Sequence, residues 1–283
     1  MKAEDYQVRP VISGLFKGRT GTGKTIAACG KEFRPVYVLD CEGRMNSVVT
    51  YYKQLDGHCR DIEFDTFDME GGFYPMDKKM DELIARCDYK TVHVASLTSY
   101  IHIVLYHLIK AKAGQKTSRG FDAVRRIGGI PVNSLEDYNA EDAAIIYELL
   151  RFLKSLHKQQ GVNTFLEAHI SPYEIISLEE GQRVSTTYNQ IVTKGKKAPA
   201  QIPGYFDEVY LFTKTLKGMG SSKGGAYEFD STGTSTDDCK TSLGINGFDW
   251  TGKDFSVELM KQISNEVKDT PRIDPNQPKT TRF

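Results

Sequence analysis

Residues 18–25 read GRTGTGKT, and Gly18-Arg19-Thr20-Gly21-Thr22-Gly23-Lys24-Thr25 matches the pattern GxxxxGK[ST] without deviation. The stretch falls between an apolar, strand-like run from Val8 to Phe16 and a helix-like start at Thr25 to Cys29, which is the context this motif requires. Its chemistry is that of a phosphate cradle. Glycines let backbone N–H groups turn inward onto phosphate oxygens, and the start of the following helix adds partial positive charge. Lys24 is placed to reach the terminal phosphates and Thr25 to ligate magnesium, with Arg19, Thr20, Thr22 and Ile26 completing the nucleotide contacts.

Outward from this loop, PVYVLD at Pro35 to Asp40 is a second buried strand, which makes a β-α-β unit. Met76 to Cys87 is helix-like, and TVHVAS at Thr91 to Ser96 is a third buried strand. Ala140 to Gln159 is an amphipathic helix that leads into the strand VNTFLEAH. Strands alternating with helices predict an α/β fold with a mostly parallel central sheet flanked by helices. DEVYLFTKTL and GAYEFDST flank the turn-rich KGMGSSKGG, so the sheet is expected to end in a C-terminal antiparallel hairpin. Two long polar interruptions, Lys110 to Tyr138 and Ser177 to Ile202, have the length of functional or disordered loops.

Composition narrows the classes. With 283 residues and 39% apolar side chains, the chain is long enough to bury roughly 75% of its unfolded surface without a disulfide or metal staple. Lys and Arg number 37, as do Asp and Glu, which excludes coating of nucleic acid or membrane by bulk charge and leaves a local basic face as the alternative. Five cysteines without CxxC spacing fit neither a disulfide framework nor a zinc site, and a reducing, cytoplasmic compartment follows as the expectation. The start, MKAEDYQVRP, carries no apolar signal core, and the apolar stretch from Ile101 to Ile109 is too short to span a bilayer, so no membrane is expected.

Asp40 and Glu42 lie at the end of the second strand, in YVLDCEGR, where a carboxylate faces a nucleotide bound at the sheet edge. A glutamate there can act as general base on the attacking water; the plainer alternative is an exposed Asp-Cys-Glu-Gly turn. The order GRTGTGKT, YVLDCEG, TVHVASLTSY, VNTFLEAHIS and IPGYFDEVYLF resembles the phage-encoded RecA-like P-loop ATPases, related to phage single-strand annealing proteins. The resemblance covers roughly residues 8 to 250 and implies a RecA-like core over 1–267, whereas the end, KDTPRIDPNQPKTTRF at 268–283, reads as a flexible polar tail from its three prolines and near lack of apolar residues. It further implies that Glu42 is the catalytic base, that His169 is a polar sensor of the terminal phosphate, and that Lys240 is a basic finger reaching the nucleotide of a neighbouring subunit.

One position departs from that pattern. Where the resemblance calls for an apolar strand ending in Asp-Ser, the chain has Val94-Ala95-Ser96, and a methyl group cannot orient a magnesium-bound water. Either the metal task has moved to Asp40 or another group, or position 95 carries an inactivating substitution.

The first long loop offers Lys116, Arg119, Arg125 and Arg126 with Phe121, and the second offers Lys194, Lys196 and Lys197 with Tyr188. The resemblance places both along a DNA channel, where cations neutralise phosphates and aromatic rings stack bases, a combination suited to single-stranded DNA. The plainer reading is a pair of solvated, charged loops. The expectation is therefore a protein that binds ATP and Mg²⁺, hydrolyses ATP, and acts on single-stranded DNA in phage recombination. The resemblance adds a homo-oligomer or filament, a single-strand-binding protein as partner, and the bacterial host cytoplasm as location. The alternatives are a P-loop kinase of a small molecule or nucleotide, and a nucleotide-sensing scaffold that does not hydrolyse ATP, which Ala95 favours.

Overall fold

The computed structural model describes residues 11–115, 124–127, 130–133, 139–179, 182–194, 199–216, 225–233 and 238–269. β1 (Ser13–Gly18) runs into the glycine-rich loop, which ends in α1 (Lys24–Ala28). Then follow β2 (Val36–Asp40), α2 (Met45–Asp56), β3 (Ile62–Thr66), α3 (Phe73–Ala85), β4 (Thr91–Ala95) and α4 (Leu97–Ala111). A small hairpin, β5 (Val124–Ile127) with β6 (Ile130–Asn133), precedes α5 (Asn139–Ser155). The chain continues as β7 (Asn163–Glu179), β8 (Gln182–Ile191), β9 (Glu208–Leu216), β10 (Gly225–Asp230), β11 (Phe248–Asp249) and α6 (Phe255–Asp269).

The sheet order is β11-β10-β9-β1-β7-β4-β2-β3, with β8 paired to the outer part of β7. From β3 to β9 neighbouring strands are parallel, and β10 and β11 add antiparallel to the far edge. The architecture is thus α/β with a mostly parallel sheet and a C-terminal antiparallel hairpin. Parallel strands buried on both faces read as continuous apolar runs, which is why β2 and β4 stand out in the sequence.

Alternation along β1 divides the core. Leu15 points into the layer with α3, α4 and α5, beside Leu83, Ile101 and Leu149, whereas Phe16 points into the layer with α1, α2 and α6. There Phe16 stacks on Phe165 at 4.7 Å between ring centroids and meets Phe212 at 4.9 Å and Phe255 at 5.9 Å. Burying each such ring contributes about 1.5–3 kcal/mol, and this aromatic cluster braces the strand that delivers the phosphate loop.

Several elements differ from expectation. β3 lies outside the expected strands: four of its five side chains are exposed, so IEFDT carries no buried apolar run. The polar interruptions are partly ordered into strands, since β5 and β6 pair within the first, and β7 continues past His169 to pair with β8 over Ile170 to Ile191. That ribbon exposes Tyr173 and Ile176, and its ladder of backbone hydrogen bonds, rather than burial, defines it. α5 ends earlier than expected and passes through a wide turn at Leu156–Gln160, where the Gln160 amide donates to the carbonyls of Leu83 and Ile84 and so closes the end of α3. α6 runs to Asp269, and residues 1–10 and 270–283 lie outside the described residues. No described helix is long and apolar enough to cross a membrane.

Candidate active site

The parallel strands point their C-terminal ends at one edge, so Gly18, Asp40, Ala95 and His169 arrive there together from β1, β2, β4 and β7. The loop leaving β1 is tightly constrained. A Cβ at Gly18 would stand 2.4 Å from the Phe212 carbonyl oxygen, and Gly21 and Gly23 have φ of 79° and 87°, the left-handed region that glycine tolerates. Trp250 backs the loop at Gly23, so the GFDW segment serves as packing. Among the described residues the backbone N–H groups from Gly21 to Thr25 donate no hydrogen bond, which leaves a run of donors for an anion. α1 is a single turn, so most of the positive charge comes from those donors and from Lys24.

Lys24 is buried and donates to the carbonyl oxygens of Gly18 at 3.0 Å and Arg19 at 2.9 Å, with Glu167 Oε1 at 3.5 Å. Burial lowers its pKa, and the Glu167 carboxylate opposes that shift. Thr22 Oγ1 also donates to the Arg19 carbonyl, while Arg19 and Thr20 are exposed at the tip. Ile26, half-buried, offers its carbonyl to the Tyr52 hydroxyl at 2.8 Å and so ties α1 to α2.

Glu167 is not among the residues that the sequence singles out, yet it lies at the centre of the site. Thr25 Oγ1 donates to its Oε2 at 2.7 Å, and His93 Nε2 stands 3.6 Å from the same oxygen. Burial works to raise its pKa, but His93, Lys24 and Thr25 outweigh burial and hold the carboxyl at about 2. Alternation in TFLEAH puts Phe165, Glu167 and His169 on one face, and an acid inside a buried apolar strand is the signal that could have found it.

Glu42 lies 2.6 Å from His169 Nε2, accepts from Ser96 Oγ, and has Arg44 Nε at 3.3 Å from its other oxygen. Burial again raises its pKa, and the hydrogen bonds from His169 and Ser96 bring it below the usual carboxylate range. The carboxylate is thus held ionised, as a proton acceptor must be, while the same hydrogen bonds lower its basicity. Asp40, by contrast, is engaged with the backbone. Its Oδ1 accepts from the N–H groups of Glu42, Gly43 and Arg44, and its Oδ2 from Thr66, so it shapes the turn that presents Glu42.

Among the described residues one set could hold a metal ion, Glu42, Glu167 and His169, whose ligand atoms lie within 4.8 Å of one another. Glu167 beside the Thr25 hydroxyl, with Glu42 in the same set and a run of free N–H donors nearby, would suit a hard divalent cation bound together with phosphate oxygens, as Mg²⁺ is. Asp40 does not join this set.

None of the remaining described candidates belongs to this set. Lys240 is exposed and pairs through its backbone with Val209, which sits beside Leu15, three residues back along β1 from Gly18. Arg125 and Arg126 lie on β5 opposite Val132 and Pro131. Lys194 is exposed, with its backbone N–H donating to Asp142. Lys116, Arg119, Lys196 and Lys197 fall outside the described residues. No protein-family model matches the chain, and no curated protein matches it.

Proposed function

We propose that the chain is a RecA-like P-loop ATPase that binds ATP with Mg²⁺ at residues 18–26 and acts on single-stranded DNA in phage recombination. The observation that supports this reading most is the convergence of Lys24, Thr25, Glu42 and His169 at one sheet edge, from β1, β2 and β7. Lys24 exchanges two neutral carbonyl acceptors for charged terminal phosphates, a stronger pairing for its ammonium. Glu42, ionised and fixed by His169 and Ser96, accepts the proton of the water that attacks the terminal phosphate. His169 joins that base to the strand neighbouring β1, so a displacement at the phosphate is passed to β7 and the β7–β8 ribbon beyond it. Thr25 and the carboxylate beside it would hold Mg²⁺, whose charge would offset that developing on the phosphate oxygens.

Single-stranded DNA is supported by the placement of cations and rings on two hairpins. Arg125 and Arg126 lie on β5, and Tyr173 faces Tyr188 across the β7–β8 ribbon. Tyr173 is half exposed, and such a ring stacks any base.

Phosphate release with and without single-stranded DNA tests the reading. DNA-stimulated turnover is the expected result. ATP binding without turnover would instead favour the non-hydrolysing scaffold, the second reading that Ala95 supports.

A further inference from the structure

The neighbours of Ala95 are set by the register of the sheet. Asp40 pairs with Ala95, and one residue on from the Val94–Leu166 pair Ala95 comes level with Glu167. All three share the face that carries α1, since Val92 and Val94 point to the opposite layer. A methyl group therefore sits between two carboxylates in one row. Asp40 is committed to the turn before Arg44, as its hydrogen bonds show, whereas Glu167 faces the phosphate loop.

We propose that Glu167 is the metal-positioning carboxylate of this site, transferred from β4 to the neighbouring strand β7. This rests on reading residues 18–25 as a magnesium-nucleotide site. β7 lies directly beside β1, while β4 is one strand further away, so a carboxylate on β7 starts about 4.8 Å closer to Thr25. By accepting the Thr25 hydroxyl hydrogen on Oε2, Glu167 turns the hydroxyl lone pairs away from itself and towards a cation. Its Oε1 faces Lys24, which fixes the rotation of the carboxylate.

A second, independent feature points to the same carboxylate. His93 is fully buried on β4, and neither ring nitrogen has a hydrogen-bond partner, although Nε2 stands 3.6 Å from Glu167 Oε2. An imidazole buried without a partner is costly unless a small shift of the facing group supplies one. Glu167 Oε2 is the acceptor that Nε2 faces, and a slightly closer approach would complete the bond. His93 is thus a positioning residue behind Glu167, comparable to the outer partners that orient metal-binding groups.

The test is ATP affinity by calorimetry with and without Mg²⁺, backed by Mn²⁺ binding read by electron paramagnetic resonance. Wild type is expected to gain affinity with the cation. Glu167→Gln should reduce that gain by about 10- to 100-fold, and adding Ala95→Asp in the same chain should restore much of it. Loss of Lys24 support alone would weaken ATP equally in both arms, so the ratio isolates the metal. An unchanged ratio in Glu167→Gln, or a loss that Ala95→Asp does not reverse, overturns the proposal. If circular dichroism shows that Glu167→Gln does not fold, Ala95→Asp in the wild-type background decides. A change within about 2-fold supports a cation already served by Glu167, and a gain of about 10-fold or more overturns it. A wild type that binds ATP in neither arm overturns the phosphate-site reading itself, and this proposal with it.

Discussion

The Thr25 hydroxyl donates to Glu167 Oε2 at 2.7 Å, joining the first turn of α1 to a strand 142 residues away in sequence. Lys24, the preceding residue, faces the other oxygen of the same carboxylate. A single buried glutamate therefore holds both chemically active residues of the phosphate loop. Much of what the loop does should depend on β7.

Lys24→Ala is expected to weaken ATP more than ADP, because the ammonium serves the terminal phosphates while the backbone cradle persists. It also strips Glu167 of its cation, which should cost about 3 kcal/mol of stability. Calorimetry with both nucleotides and a urea titration check the two effects separately.

Glu42→Gln keeps the shape of the side chain and removes its basicity. Phosphate release should drop by about 10²- to 10⁴-fold while ATP remains bound. Comparable turnover in the variant would assign the base elsewhere.

Acid should loosen the fold through Glu167. Its folded pKa of about 2 lies below the ordinary value of 4.5, so its contribution is complete above pH 4.5 and is lost as pH falls towards 2. A depression from 4.5 to about 2 corresponds to about 3 kcal/mol. Urea unfolding at neutral pH and near pH 3 should show a shallower acid dependence in Glu167→Gln than in wild type.

Gly23→Ala combines an unfavourable φ with a Cβ that would lie 2.8 Å from the Trp250 ring. A loss of roughly 1–3 kcal/mol is expected, together with weaker nucleotide binding. Trp250→Phe in the same chain should recover part of the stability, as the clash is relieved and the backbone strain is not; thermal melts distinguish the two contributions.

Binding of single-stranded DNA should weaken steeply with salt. Replacing Arg125, Arg126, Lys196 and Lys197 by alanine should flatten the logarithmic salt slope by about 0.7 for each phosphate that is no longer neutralised. A quadruple variant with wild-type affinity and slope would place the DNA on another face.

The local grammar of the chain was enough for the α/β class, for a glycine-rich loop between a strand and a helix, and for the place of Glu42 and His169 at the same sheet edge. Each of these depends on neighbours in sequence: glycine spacing, apolar runs such as PVYVLD, and acids or imidazoles placed where a parallel strand stops. What stayed hidden depends on pairing between distant segments. The β7–β8 ribbon exposes Tyr173 and Ile176 and is defined by its backbone ladder, and β3 is an exposed edge. Neither has the buried periodicity that marks a strand. The sequence alone pointed to Asp40 for metal duty and passed over Glu167. The turn that occupies Asp40, and the register that sets Glu167 near Ala95 and against Thr25, exist only in the folded chain, because a carboxylate's partners are the donors that folding brings within about 3 Å of it.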